Sequence, residues 1–299
     1  METALQTLDQ KISFIETGKN EDILMFLSEF KNTIEGLEND YSREEIVRHI
    51  PAIRKAASHS PFVNRAQIWP KGYQGDFETI EQIIYQKNKA VPNTFGFIIE
   101  DFLLNSDVCK QHINKVKRQS ELILKTVQQN PNAKILSIGC GTSKDIKLNI
   151  QAIKKTNVAI TLLDADSDAL KYSSMALQEI KDQVKTVHGN IYKLIRTITE
   201  QYDLVIIGGV FDYLTDKVII KILSSLKNNL KQGALVYFTN IKKNNPYRVY
   251  MEYFSDWMLI ERSEEDINML LKESTWSKSN TNIQTDATGL TYLVELNYC

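Results

Sequence analysis

The stretch Ile135-Leu136-Ser137-Ile138-Gly139-Cys140-Gly141-Thr142-Ser143 decides how the rest of the chain is read. An apolar run passes straight into glycines and then into a helical pattern. Glycines at such a turn let the backbone approach a ligand, and the helix that follows presents free N–H groups to it. A dinucleotide site wants a further glycine three positions after the second, and that position holds Lys144, so the dinucleotide fingerprint is broken. A lone Gly-x-Gly is weak evidence. The second apolar run, Ile160-Thr161-Leu162-Leu163-Asp164, strengthens it: it ends on a carboxylate about 25 positions later, where an adenosine ribose would need an acceptor. The plainer reading makes Asp164 a cap for the next helix, a job that Asp166 or Ser167 could share.

Outward from this turn, β-branched runs alternate with amphipathic helices. Lys134–Gly139 is followed by a helix over Asp145–Lys154, Val158–Leu163 by Ser167–Ile180, Val184–His188 by Ile191–Ile198, and Leu204–Gly208 by Lys217–Leu230. Such alternation predicts a parallel sheet covered on both faces. Ala234–Ile241 supplies a fifth strand. Trp257–Glu261 and Gly289–Leu296 read as two more, with one helix near Glu264–Lys272 between them, which suggests an antiparallel edge. Upstream the period is helical: Ile23, Leu27, Phe30, Ile34 and Leu37 share a face, Arg43–Ser58 reads as one helix that Pro51 would kink, and Ser58–Gly75 is rich in turn formers. Helical stretches follow over Phe77–Tyr85 and Asn93–Val127. The expected division is a helical N-terminal cap and substrate region over 1–130 and an α/β domain over 131–299.

Composition sets the frame. The 299 residues are 42% hydrophobic, enough for a substantial core, and a formal charge of −1 offers no basic field to concentrate a polyanion, so nucleic acid is not an expected partner. Cys109, Cys140 and Cys299 have no zinc-type spacing, no His/Cys/Asp cluster suggests a metal, and their odd number fits reduced thiols. No apolar run reaches the roughly 18 residues of a membrane helix, and the acidic start does not read as a signal peptide, so a cytoplasmic protein is expected. Assembly into a homodimer is left open.

Gly139-Cys140-Gly141, Asp164, the Gly189-Asn190 pair and Tyr202-Asp203-Leu204-Val205 follow the order of class I S-adenosylmethionine-dependent methyltransferases, which the chain resembles over roughly Lys134–Ile241. The resemblance implies a Rossmann-like α/β sheet with an antiparallel edge strand, and S-adenosylmethionine as cofactor. It places Gly139 and Gly141 at the methionine part, Asp164 at the ribose, and Asn190 with the Ile191 backbone at the adenine, with Cys140 and Ala165 also among the cofactor-binding residues. Gly208 and Gly209 would line the sulfonium. Three departures stand out. Ser137 replaces the usual acid, Ser143 a third glycine, and Asn190 an aspartate. Asn190 can still accept from an amino group, but Ser137 cannot replace a charge.

The flanks carry a narrower resemblance. Trp69-Pro70-Lys71-Gly72-Tyr73-Gln74-Gly75-Asp76-Phe77, Gly209-Val210-Phe211-Asp212-Tyr213-Leu214, and the blocks from Asn240 to Pro246 and Ser255 to Arg262 are similar to segments of 3-hydroxypalmitate methyl ester synthases. The methyltransferase part of cyanobactin methyltransferase-prenyltransferases looks like a relative. Both imply a carboxylate acceptor, a hydroxy fatty acid or a linear peptide C-terminus, in natural-product or signal-molecule synthesis. A carboxylate is ionised at neutral pH and needs no general base, only in-line approach and a donor set that positions it. The expected positioning residues are Tyr73, Asp212, Tyr213 and Arg248, the last by a bidentate fork. Asp76 either contacts the cofactor or caps the helix at Phe77. Arg262 is expected to pair with Asp256 or Glu264, and His188 to be a strand-end residue. Methylation of a nitrogen or phenol, or an inactive partner subunit, remain as alternatives.

Overall fold

The computed structural model describes residues 2–15, 20–195, 197–276 and 280–299, and it divides into two compact units. The first comprises Met1–Lys110 and Pro246–Met258, the second Gln111–Asn245 and Leu259–Cys299. The division thus falls about twenty residues earlier than a boundary at 130, and a segment from late in the chain returns to the first unit.

The first unit is helical: α1 (Glu2–Ile15), α2 (Asn20–Leu37), α3 (Arg43–Val47), α4 (Pro51–Ala57), α5 (Pro61–Ile68), α6 (Phe77–Tyr85), α7 (Phe95–Leu104) and the start of α8 (Asp107–Gln129). Arg43–Ser58 is not one kinked helix. Ser42 and Glu45 form a reciprocal cap on α3, and Pro51 begins α4, where its missing N–H costs nothing. The turn-rich stretch before Gly75 contains α5, started by Ser60 and Pro61. Phe26, Phe30, Phe95 and Phe254 form its aromatic core, and Glu100, fully buried, accepts from Ser60 Oγ, Phe62 N, Gln82 Nε2 and Lys89 N.

The second unit is a seven-stranded sheet in the order β3-β2-β1-β4-β5-β7-β6 among the described residues. β1 (Lys134–Ile138), β2 (Ala159–Asp164), β3 (Val184–His188), β4 (Tyr202–Ile207) and β5 (Leu230–Ile241) are parallel. β7 (Thr291–Asn297) lies antiparallel against β5, and β6 (Thr281–Thr285) antiparallel against β7. The antiparallel edge is therefore present, but its partner strand is β6. Trp257–Glu261 forms no strand: an isolated bridge, Lys242 to Arg262, is all that the segment's end contributes, and Trp257 belongs to the first unit. Helices α9 (Lys144–Lys147), α10 (Ile150–Ile153), α11 (Ser167–Ala176), α12 (Ile191–Leu194), α13 (Asp216–Leu226) and α14 (Glu264–Glu273) fill the connections.

Strand alternation divides the core in two. Ile135, Leu204, Ile206 and Tyr237 pack with Leu122, Ile123 and Val127 of α8, while Leu136, Ile138, Val205 and Ile207 pack with α13 and α14 on the other face. The order reverses between β1 and β4. Ligands of open parallel sheets bind at that switch point, beyond the carboxyl ends of the strands.

Candidate functional site

At the carboxyl end of β1 the chain turns through Gly139 (φ +63°) and Gly141 (φ +52°). Both need the left-handed region, and a Cβ on Gly139 would also strike Val210. Ser143, which stands where the resemblance leads one to expect a third glycine, is itself left-handed (φ 49°, ψ 36°). A short chain of bonds holds it: Ser143 Oγ donates to Ser173 Oγ at 3.0 Å, and Ser173 Oγ to the Gly141 carbonyl at 2.7 Å. The serine departure is thus tied to α11 by side-chain bonds that glycine could not make.

Asp164 ends β2 beside this turn. One carboxylate oxygen accepts from Gly141 N at 3.0 Å and the other from Asp166 N at 2.9 Å. Burial raises its pKa, against the pull of those two N–H groups. Asp166, not Asp164, caps α11, through Asp168 N and Ala169 N. Asp164 therefore braces the glycine turn, and two occupied sites leave lone pairs for a ligand. Ala165 follows it, its carbonyl 3.0 Å from His188 Nε2. Cys140 lies within the turn; burial first, then the Asp164 charge, pushes its thiol far up. At the end of β3, Asn190 caps α12 by accepting from Tyr192 N at 2.8 Å, and Ile191 is buried in the core.

At the end of β4 come Gly208 and Gly209, the latter left-handed (φ +89°) with its N–H donated to Thr239 Oγ1 at 2.9 Å. The next turn carries Asp212 and Tyr213. Tyr213 is half-buried. Asp212 is buried and differs from the expectation of an acceptor-positioning residue. Its Oδ1 accepts from Ile241 N at 2.7 Å, its Oδ2 lies 3.5 Å from Lys115 Nζ, and its carbonyl accepts from Ile260 N. It joins the turn to the end of β5. Arg262 pairs with Asp216 rather than Asp256 or Glu264. Only 2% exposed, it donates to Asp216 Oδ1 at 2.7 and 2.9 Å, to the carbonyls of Phe211 and Leu214, and to Asn240 Oδ1.

The remaining expected residues belong to the first unit. Tyr73 is exposed in the turn between Gly72 and Gly75. Asp76 caps α6 through Glu78 N and Thr79 N and pairs with Arg65, so capping is its observed role. Arg248 has no free fork for a carboxylate: one nitrogen donates to Glu38 at 2.7 Å and to Glu252 at 3.1 Å, and the other also meets Glu38. Those two acids occupy the guanidinium, and the Glu38 bond raises its pKa further.

Residues that the motifs did not reveal come from α8. Lys115 and Gln119, 4% and 8% exposed, lie one helical turn apart at the end of β4. His112 is buried on the same helix, its pKa pushed well down by burial and by Lys115. The available signal was a polar row at helical spacing, Gln111, Lys115 and Gln119, on a helix that also carries Leu122 and Ile123.

Residues 136–236 match the methyltransferase domain family. Ribosomal RNA small subunit methyltransferase C of Buchnera aphidicola is 25% identical over 193 residues, covering 60% of this chain and 54% of that protein. The chain thus matches about half the length of this curated relative. Among solved structures, a possible exported protein of Bordetella parapertussis aligns over 99% of this chain and 96% of its own, with a TM-score of 0.62 and 12% identity. Magnesium protoporphyrin IX methyltransferase of Synechocystis, crystallised with S-adenosylmethionine, aligns over 78% of this chain and 96% of its own, with a TM-score of 0.53 and 14% identity. The shared element is the fold, a Rossmann-like methyltransferase sheet.

Proposed function

We propose that this chain is a class I S-adenosylmethionine-dependent methyltransferase, a reading that the fold and family match of its second unit support, and that it esterifies a carboxylate. S-Adenosylmethionine supplies an electrophilic methyl group on its sulfonium. The residues present suit it: a turn through Gly139 and Gly141 in which a Cβ on Gly139 would strike Val210, the Asp164 carboxylate with acceptor capacity remaining, and a glycine pair following β4. Asp164 holds the turn and receives ribose hydroxyls. Gly139 and Gly141 admit the methionine part.

One observation carries the choice of acceptor. Among the described residues at the ends of β1, β2 and β4, Asp164 is assigned to the glycine turn and the ribose, Asp212 is tied to Ile241 N and Lys115, and Cys140 is held protonated. A nitrogen or phenol acceptor has a proton to lose, whereas a carboxylate has none at neutral pH. The acceptor oxygen forms the new O–C bond as the C–S bond breaks, the electron pair returns to sulfur, and no proton changes place. Hydroxy fatty acids and linear peptides with a free C-terminus are the proposed acceptors, following the flanking motifs.

A second reading rests on Asp145. Burial pushes its pKa up to about 6, close to the value of a useful base, although it is only 4% exposed and accepts from Ile146 N. Incubation with methyl-labelled cofactor and a panel of hydroxy fatty acids and linear peptides separates the two readings. The ester reading expects label released by mild alkali and a rate that persists below pH 6, down toward the acceptor's own pKa. An alkali-stable product, formed at a rate that collapses below about pH 6 and is lost at every pH in Asp145→Asn, would favour a nitrogen or phenol acceptor with Asp145 as base.

A further inference from the structure

Two buried polar side chains at the end of β4 are poorly satisfied within the protein. Gln119 is 8% exposed, yet its carboxamide makes no hydrogen bond among the described residues. It lies directly over Gly208, so close that a Cβ there would fall on its amide nitrogen. Lys115, one turn earlier, carries three donors, and among the described residues its ion pair is with Asp212 Oδ2 at 3.5 Å, a long contact for a charged pair. Its Nζ stands 3.6 Å from the position a Cβ would take on Gly209. The amide atoms of Gln119 are not among the fully enclosed polar atoms without a partner, so they stay open to an incoming group, and the Lys115 ammonium has only the long contact to Asp212. Groups in that condition at a switch point mark where a ligand supplies the missing acceptors.

We propose that Lys115 and Gln119 form the anion pocket that holds the acceptor's carboxylate, the role the sequence pattern suggests for Arg248. The proposal rests on the carboxylate reading of the second unit. The Lys115 ammonium supplies the positive charge that an incoming carboxylate meets, with or without a sulfonium beside it. Lys115 and Gln119, at i and i+4, lie on one helix face, and a carboxylate held between them would keep one oxygen lone pair for transfer. Gly208 and Gly209 leave the strand end bare, so neither donor is fenced off by a side chain there. The methionine part of the cofactor also bears a carboxylate, and the experiment must tell the two apart.

The full chain, saturated with S-adenosylhomocysteine, is titrated calorimetrically with 3-hydroxydecanoate and its amide, and with a linear peptide bearing a free or an amidated C-terminus. One acid should bind more tightly than its amide. Gln119→Leu should weaken that acid roughly ten-fold or more and Gln119→Glu further, with the amide unaffected and S-adenosylhomocysteine affinity unchanged. Lys115→Met should act likewise; it strands Asp212, so the Gln119 variants, which keep the ion pair, carry the test if it fails to fold. An acid preference that survives the Gln119 substitutions overturns the pocket while leaving ester formation standing. Loss of S-adenosylhomocysteine affinity with the acid preference intact assigns the pair to the cofactor and overturns it too. If neither acid is preferred over its amide and no alkali-labile product forms, the carboxylate reading falls, and the pocket with it.

Discussion

At the scale of single residues, a side chain's role follows from the partners it meets, and Asp164 and Asp145 show two outcomes. Asp164 braces the glycine turn and retains acceptor capacity. Asp164→Ala should weaken S-adenosylmethionine binding by about 1.5–3 kcal/mol, the range for hydrogen bonds to a charged group. Unchanged affinity by calorimetry in a folded variant would move the ribose contact elsewhere. Asp145 is raised from an ordinary 3.8 to about 6 by burial. Its folded form holds the proton more tightly than the unfolded chain, so its contribution to stability is present below pH 4 and lost as pH rises through 6. Asp145→Asn should therefore raise neutral-pH stability, by up to about 3 kcal/mol, and flatten the decline between pH 4 and 6. Denaturant titrations across that window would refute this if the variant kept the wild-type slope.

At the scale of elements, α7 depends on a glycine that no turn requires. A Cβ on Gly96 would sit 2.5 Å from the His59 carbonyl carbon and 2.7 Å from Ser60 N, backbone atoms that cannot swing aside. Helix α7 packs against the link between α4 and α5 at this point, and Glu100, one turn on, accepts from Ser60 Oγ and Phe62 N in the same link. Gly96→Ala, which would favour an isolated helix, should instead destabilise the first unit by about 1–3 kcal/mol through overpacking. A melting temperature equal to or above wild type would show that the helix shifts freely. The strand pair at the sheet edge makes a related point. Trp257–Glu261 is the more apolar stretch, yet Thr281–Thr285 pairs with β7, because the former's Trp257 and Met258 belong to the other unit.

At the scale of the whole molecule, the boundary has a consequence for truncation. Leu122, Ile123 and Val127 of α8 are within 3% of complete burial, in one cluster with Ile135, Ile160 and Leu204. Each contributes roughly 1.5–3 kcal/mol of apolar burial, against a typical net stability of about 5–15 kcal/mol. A fragment of residues 131–299 should therefore fail to fold cooperatively, whereas one beginning at Asp107 should retain a sigmoidal thermal transition by circular dichroism. Equal transitions for both fragments would mean that α8 is dispensable to the sheet.

Local chemistry determined the parts of this protein that short stretches of sequence can encode. The apolar run into Gly139 and Gly141, the carboxylate closing β2 and the alternation of strand and helix specify a parallel sheet and the glycine turn at its switch point, because backbone freedom, burial and periodicity act over a few residues. Pairings across the chain were decided only by the tertiary structure. Arg248 has the same fork in any sequence, but Glu38, 210 positions away, fills it. Lys115 reads as one more charge on a polar helix until the fold buries it beside Asp212 and the bare glycines of β4. A charged or amide side chain acts according to what shares its low-dielectric surroundings, and those neighbours are set by where distant segments come to lie.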